Sequence, residues 1–187
     1  MSKTIEAPKD RILFFTKQVD QASISDLTKS IIEINEHDRF LEKLYVIHNM
    51  SYTPKPIEIM IDSYGGQIYS CFGLLSVMEK SVTPIHTIVT GCAMSCGFMM
   101  LICGHKRFAH KLSTPLYHQA SSIAWGKLKD IEEDVAETRR LQDILEKVTL
   151  EKTKISEKKL KKVYRDKFDW FMTAEEALKL GVVDEIL

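Results

Sequence analysis

Apolar and polar positions alternate along the chain in two rhythms. Ile12-Leu-Phe-Phe15 is a short unbroken apolar run and reads as a buried strand. From Ser23 to Tyr45 the residues Ile24, Leu27, Ile31, Ile32, Ile34, Leu41 and Leu44 recur near helical spacing, with Ser25-Asp26 as the start signal. Asn49 to Pro56 is rich in loop formers, and Ile57-Glu-Ile-Met-Ile61 then alternates as a β-branched strand. Asp62-Ser-Tyr-Gly-Gly66 is a sharp turn. It leads into a helical stretch, Gln67 to Lys80, with Ile68, Cys71, Phe72, Leu75 and Met78 on one face. Pro84 ends that helix, Ile85 to Val89 reads as the next strand, Gly91 as a turn, and Ser95 to Ile102 as a buried apolar helix. Arg107-Phe-Ala109 and Leu116-Tyr117 read as short strands, and Lys129 to Thr153 as a long charged amphipathic helix. Thr173-Ala-Glu-Glu176 is a capping box that opens a helix closed by Gly181, and Val182-Val183 and Ile186-Leu187 end the chain in extended form. Strands alternating with helices predict a layered α/β core of right-handed crossover units. In such folds ligands sit where strand C-termini feed helices, which singles out Gly65-Gly66 and Gly91 to Gly97 as faces of one crevice.

Composition narrows the classes. The 187 residues are 44% hydrophobic and 28% charged, as in an ordinary single globular domain. Lys+Arg and Asp+Glu both number 26, so the formal net charge is zero. Neutrality argues against a generic nucleic-acid binder and removes one brake on self-association. The basic stretch Lys152 to Lys167 then reads as a solvated helix face. Cys71, Cys92, Cys96 and Cys103 each sit in apolar surroundings and read as buried free thiols. Cys92, Cys96, Cys103 and His105 could be imagined around a metal, but no C-x-x-C pair is present, and no metal is expected. The first residues show no apolar leader core, and no stretch approaches the ~18 apolar residues of a membrane span. The expected setting is soluble and cytoplasmic. With no Gly-x-Gly-x-x-Gly and no Gly-Lys-Ser/Thr, no nucleotide site is expected on this chain.

Ser95 lies between small residues in Gly91-Cys-Ala-Met-Ser-Cys-Gly97, at the mouth of an apolar helix. It is either a helix cap or a nucleophile on a loosened Gly-x-Ser-x-Gly turn, with helix N–H groups facing a developing oxyanion. Gly65-Gly66 is either a plain turn or the source of a second oxyanion donor. A serine nucleophile needs a base. Of six histidines, His37 and His48 read as solvated, His86 as core, and His105 and His110 as exposed. His118 follows a strand end beside Gln119, where active-site groups gather. An orienting carboxylate is also needed, and Asp169, inside the aromatic run Phe168 to Met172, is an acid that wants a specific partner.

These stretches, in this order, resemble the Clp protease proteolytic subunit family. Ile61-Asp-Ser-Tyr-Gly-Gly-Gln-Ile68 resembles its Asn-Ser-Pro-Gly-Gly turn, and Gly91 to Gly97 its Gly-x-Ala-Ala-Ser-Met-Gly nucleophile turn. Gly104-His-Lys-Arg-Phe108 and Tyr117-His-Gln119 resemble the approach to its histidine. Asp169-Trp-Phe-Met-Thr-Ala-Glu-Glu-Ala177 with Gly181-Val-Val-Asp184 resembles its C-terminal block, and Asp10 to Phe15 its first strand. The resemblance implies a crotonase-type layered α/β fold of repeated β-β-α units. Residues 1–9 would be a short extension and 10–187 one protease domain, with a handle strand and long helix over 119–153. It implies Ser95 as nucleophile, His118 as general base and acid, Asp169 as the orienter of His118, and backbone N–H groups of Gly66 and Cys96 as the oxyanion hole. It places substrate as an added strand beside Gln67, Ile68 and Tyr69. It further implies stacked heptameric rings forming a tetradecamer. An AAA+ unfoldase partner would spend the ATP and feed in unfolded polypeptide, and the chain would need no cofactor, nucleic acid or membrane. Tyr64 in place of proline, Met94 beside the nucleophile and a single glycine in Ala120 to Gly126 depart from the family pattern. The other readings are a catalytically silent paralogue in a mixed ring, or an acyl-CoA hydratase-like enzyme on the same fold. Both leave the serine, histidine and aspartate idle.

Overall fold

A computed structural model describes residues 10–187. Strand β1 (Ile12–Phe15) leads into helix α1 (Gln21–Ile47). Strand β2 (Ile57–Ser63), helix α2 (Ile68–Glu79), strand β3 (Ile85–Met94) and helix α3 (Cys96–Ile102) come next. After β4 (Lys106–Ala109) and β5 (Thr114–Tyr117) come the long α4 (Leu128–Lys152) and α5 (Glu157–Asp166). The chain ends with β6 (Trp170–Phe171), α6 (Ala174–Lys179) and β7 (Glu185–Ile186). The main sheet runs β1-β2-β3-β4-β7, all parallel, and β5 and β6 branch from it at β3. The mixed α/β architecture is the one the alternating pattern predicts.

The pattern of β2 explains how the layers stack. Ile57, Ile59 and Ile61 are fully buried while the residues between them are not, so one face lies under the helices and the other is only partly covered. Cys71, Leu74 and Met78 of α2 are buried in the same core as this face, and α3, whose seven residues are all buried, packs on β2 and β3. A helix buried all round must be apolar all round, and Cys-Gly-Phe-Met-Met-Leu-Ile is.

Helix α1 begins earlier than its apolar rhythm. Asp20 accepts a hydrogen bond from the Ser23 N–H (2.7 Å) and Ser23 Oγ accepts one from the Asp20 N–H (3.1 Å). This reciprocal cap fixes the start five residues before Ser25, because capping is a local polar event that apolar periodicity does not register. On the same helix, His37 is buried rather than solvated. Its neighbour Asp38 accepts from Arg11 (2.8 and 2.5 Å), Tyr52 (2.6 Å) and Thr83 (2.5 Å), tying together the approach to β1, α1, the loop after it and the approach to β3.

Two further expectations change. Gly91 does not turn the chain; it lies within β3. The β2–β3 register passes from Ile61↔Val89 to Ser63↔Ala93, so β3 carries two extra residues there. The Asp62 side chain occupies the space of the missing Cβ and accepts from the Cys92 N–H (2.9 Å). Such a bulge bends a strand and re-aims the residues beyond it. Before the bulge β3 pairs with β4; after it, Cys92 to Met94 pairs with β5. Second, the segment 119–127, where a handle strand is expected, joins no ladder of this protomer, and the long helix after it is present as α4. Residues 1–9 lie outside the described residues.

Candidate active site

The bulged end of β3 delivers Ser95 to the site. Ser95 sits between β3 and α3 with φ +54° and ψ −119°, a left-handed backbone that non-glycine residues adopt only where the surroundings enforce it. Its N–H donates to the Leu116 carbonyl on β5 (3.1 Å), and its side chain makes no helix cap. The capping reading therefore fails, and there remains a strained turn that holds the hydroxyl up at a strand-to-helix junction.

Gly65-Gly66 packs against that turn. A Cβ on Gly65, whose φ is +93°, would lie 2.6 Å from the Met94 carbonyl oxygen, 2.8 Å from Ser95 Cβ and 2.9 Å from Cys96 N. Only glycine permits this approach with that φ. Gln67 N–H donates to the Val19 carbonyl (2.7 Å) and Val19 N–H to the Gly65 carbonyl (2.8 Å), which pins the turn on both sides of Gly66. Among the described residues the Gly66 N–H donates to no protein group, and the Cys96 N–H, first in its helix, has no acceptor within it. Two N–H groups beside one serine hydroxyl are the donors an oxyanion requires.

His118 and Asp169 arrive through β5 and β6. These strands pair antiparallel with Leu116 opposite Phe171 and Tyr117 opposite Trp170. One step further in that register sets His118 opposite Asp169, where facing Cβ atoms stand ~5 Å apart. Ser95, Gly66, Cys96 and His118 line one narrow cleft of about 50 Å³, with Met99, Tyr117 and Leu145 as its apolar walls. Asp169 is exposed and lies outside that lining. Among the described residues no hydrogen bond joins Ser95 to His118 or His118 to Asp169; Ser95 and His118 share the cleft, and Asp169 is related to His118 by the β5–β6 register.

Gln67, Ile68 and Tyr69 do not form the expected strand edge. Gln67 precedes α2, its carbonyl accepts from the Cys71 N–H (3.1 Å), and Ile68 and Tyr69 lie inside the helix. Their backbone is helical or at a helix start rather than an extended strand. Ile68 still lines the cleft by its side chain, and Tyr69 donates to Glu137 of α4 (2.5 Å). The cleft is also bordered by His118 to Ser121, which lie outside any helix or paired strand.

Gln142 carried no sequence signal. Buried on α4, it accepts from the Ala120 N–H (2.7 Å) and donates to the Tyr117 hydroxyl (3.3 Å) and to Glu146 (2.8 Å). It thus grips the chain on both sides of His118. Cys71, Cys92 and Cys96 are the buried thiols the sequence suggests, and Cys103 is half-buried. Burial pushes Cys92 and Cys103 up to about 11. Contact with Cys96 together with burial raises Cys71 well above the ordinary thiol value. Cys96 donates to the Gly66 carbonyl (3.3 Å), bridging the two turns.

Comparison with known proteins bears on the family of the chain. The family model for Clp protease matches residues 4–187. An ATP-dependent Clp protease proteolytic subunit of Deinococcus radiodurans is 29% identical over 182 residues, 96% of this chain and 81% of the relative. One from Bacteroides fragilis is 30% identical over 181 residues, covering 95% and 79%. A relative from Frankia casuarinae, ATP-dependent Clp protease proteolytic subunit 2, is 30% identical over 182 residues, covering 96% and 76%.

Proposed function

This chain belongs to the Clp protease family, and from that premise we propose that Ser95, His118 and Asp169 are the working parts of a serine endopeptidase that cuts unfolded polypeptide. The observation that carries the reading is the left-handed backbone of Ser95, held against Gly65-Gly66 in a cleft that His118 shares. Strain of this kind costs about 1–3 kcal/mol and persists where a side chain must be presented.

In the proposed reaction Ser95 Oγ attacks the scissile carbonyl carbon while His118 takes the hydroxyl proton. The carbonyl oxygen becomes an oxyanion between the N–H groups of Gly66 and Cys96. His118 then gives its proton to the leaving amine, and the C–N bond breaks to an acyl-serine. Water, deprotonated by His118, attacks the ester, and collapse restores Ser95 and releases the new carboxylate. Asp169 accepts from the far N–H of His118, selecting the tautomer that can receive the serine proton. Removing one oxyanion donor costs about 10²–10³-fold in rate, so the glycine turn carries weight comparable to that of the base.

The substrate backbone lies along His118 to Ser121, a segment that borders the cleft and is committed to no helix or ladder of this protomer. ATP is spent by an associated Clp ATPase of the AAA+ unfoldase class, since this sequence has no phosphate-binding loop. The subunit works in a homo-oligomer of stacked heptameric rings in the cytoplasm. Assembly is supported by Ile123, Trp125 and Leu128, which are 98%, 94% and 75% exposed at and just before the start of α4, a poor state for a lone protomer. No helix among the described residues is long and apolar enough to cross a membrane. Retention of all three triad residue types disfavours the silent paralogue. The test is hydrolysis of a fluorogenic peptide, and of an unfolded protein with a Clp ATPase and ATP, by wild type and Ser95→Ala. Loss of both activities in an assembled variant is expected; retained turnover would remove Ser95 from its role.

A further inference from the structure

Asp169 poses a problem that the proposed triad does not itself solve. It is exposed, and among the described residues its carboxylate makes no hydrogen bond. Its aim therefore rests on the backbone that carries it, and that backbone is short. Helix α5 is capped by Lys167 in the left-handed conformation (φ +51°), and β6 is only two residues long. Something must hold residues 168–170.

The two side chains flanking Asp169 share one neighbour. Lys159 Nζ stands 4.1 Å from the centroid of the Trp170 ring and 5.7 Å from that of Phe168. Along an extended chain, residues i and i+2 point to one face and the residue between them to the other. That Phe168 and Trp170 meet the same ammonium places them on one face, and it leaves Asp169 to the opposite one, toward His118 in the β5–β6 register. Lys159 is itself well founded. It is the third residue of α5, and its N–H donates to the capping Ser156 Oγ (3.3 Å). Among the described residues it forms no ion pair that would compete for its charge; the neighbouring Glu157 pairs with Lys161 instead. A cation over an indole face within ~6 Å is an attractive geometry.

We propose that Lys159 is a positioning residue for the reaction: its ammonium clamps Phe168 and Trp170 and so fixes the direction in which Asp169 meets His118. The inference rests on Asp169 being the orienting carboxylate. A cation held on two aromatic faces supplies rigidity to a segment that has only one two-residue ladder, and catalytic geometry is sensitive to displacements of ~1 Å. Glutamine or methionine at 159 would keep much of the stem and lose the charge, whereas arginine would keep the cation and its affinity for aromatic faces.

The test is steady-state peptide hydrolysis by Lys159→Met, Lys159→Gln, Lys159→Arg, Asp169→Asn and the double variant Lys159→Met/Asp169→Asn, all checked for assembly by gel filtration. Lys159→Met and Lys159→Gln should lower kcat about 5–20-fold with KM nearly unchanged, and Lys159→Arg should recover most of it. Lys159→Met should cost nothing further in the Asp169→Asn background, since a positioning residue is silent once its client is disabled. In a Trp125→Phe background, where Trp170 is the remaining tryptophan, its emission should change in Lys159→Met and return toward wild type in Lys159→Arg. Wild-type kcat in Lys159→Met alongside an inactive Asp169→Asn overturns the proposal while leaving the triad standing. So does an equal loss in the arginine variant, or an additive loss in the double variant. A near-normal rate for Asp169→Asn overturns the triad assignment, and the proposal with it.

Discussion

Gly65→Ala tests whether the contact between the two glycine-containing turns governs catalysis. The added Cβ would fall 2.6, 2.8 and 2.9 Å from Met94 O, Ser95 Cβ and Cys96 N, closer than real Cβ atoms approach. Two of these neighbours are backbone atoms, so rotation of a side chain cannot relieve the overlap. Alanine also disfavours φ +93°, at roughly 1–3 kcal/mol. Relief has to come from separating the Gly65-Gly66 turn from the Ser95 turn. That moves the Gly66 N–H away from the oxyanion position and displaces the nucleophile. Loss of one donor is worth about 10²–10³-fold, and a ~1 Å misplacement about 10²-fold. We therefore expect kcat/KM for a fluorogenic peptide to fall by at least about 100-fold, with a stability loss of about 1–3 kcal/mol in thermal unfolding. Gly73→Ala is the matched control. Gly73 lies within α2 with open space where its Cβ would be, so this change should leave activity unaltered and add about 0.5–1 kcal/mol of stability. A Gly65→Ala enzyme within about threefold of wild type would refute the reasoning.

Asp169→Asn should lower kcat about 10⁴-fold through the wrong histidine tautomer with assembly intact, measured by peptide hydrolysis; a near-normal rate would move the orienting role to another acid. Asp38→Ala strips the acceptor from Arg11, Tyr52 and Thr83 and should destabilise by about 1–3 kcal/mol in urea unfolding, since Arg11 keeps only its bond to the Lys55 carbonyl and stays partly solvated. Burial pushes the Asp38 carboxyl up, but hydrogen bonds from Arg11, Thr83 and Tyr52 outweigh it and hold it at about 2, below the ordinary carboxylate value of 3.8. A depressed folded value means that this stability is present above about pH 4 and is lost as pH falls toward 2, so acid unfolding in that window should flatten in Asp38→Asn.

Much of this was legible in the sequence, for identifiable reasons. The strands and helices of the core announce themselves because burial imposes period: β2 alternates, and α3 is apolar on every side because it is buried on every side. The Thr173 capping box was readable because its partners lie three residues apart, and Thr173 and Glu176 cap each other as expected. The features that escaped depend on distant partners. The bulge that keeps Gly91 in strand is made by the Asp62 side chain, about thirty positions away in sequence. Gln142 looks like any polar residue on an amphipathic helix until Tyr117 and Ala120 fold against it. Lys159 belonged to a basic run that reads as solvated, and only the return of Phe168 and Trp170 distinguishes it from its neighbours. The strand edge expected at Gln67 to Tyr69 is a helix start instead: the three residues come directly after the glycine turn, where the apolar rhythm of α2 already begins, whereas His118 to Ser121 show no strand signal and yet border the cleft.

The central claim is that Ser95 is an activated nucleophile. The direct measurement is intact-mass analysis after treatment with a fluorophosphonate, which transfers phosphorus to an activated serine oxygen with release of fluoride. The account predicts one adduct per chain on the wild type and none on Ser95→Ala. An adduct that survives in Ser95→Ala, or no adduct on an assembled wild type that hydrolyses peptide, would contradict it.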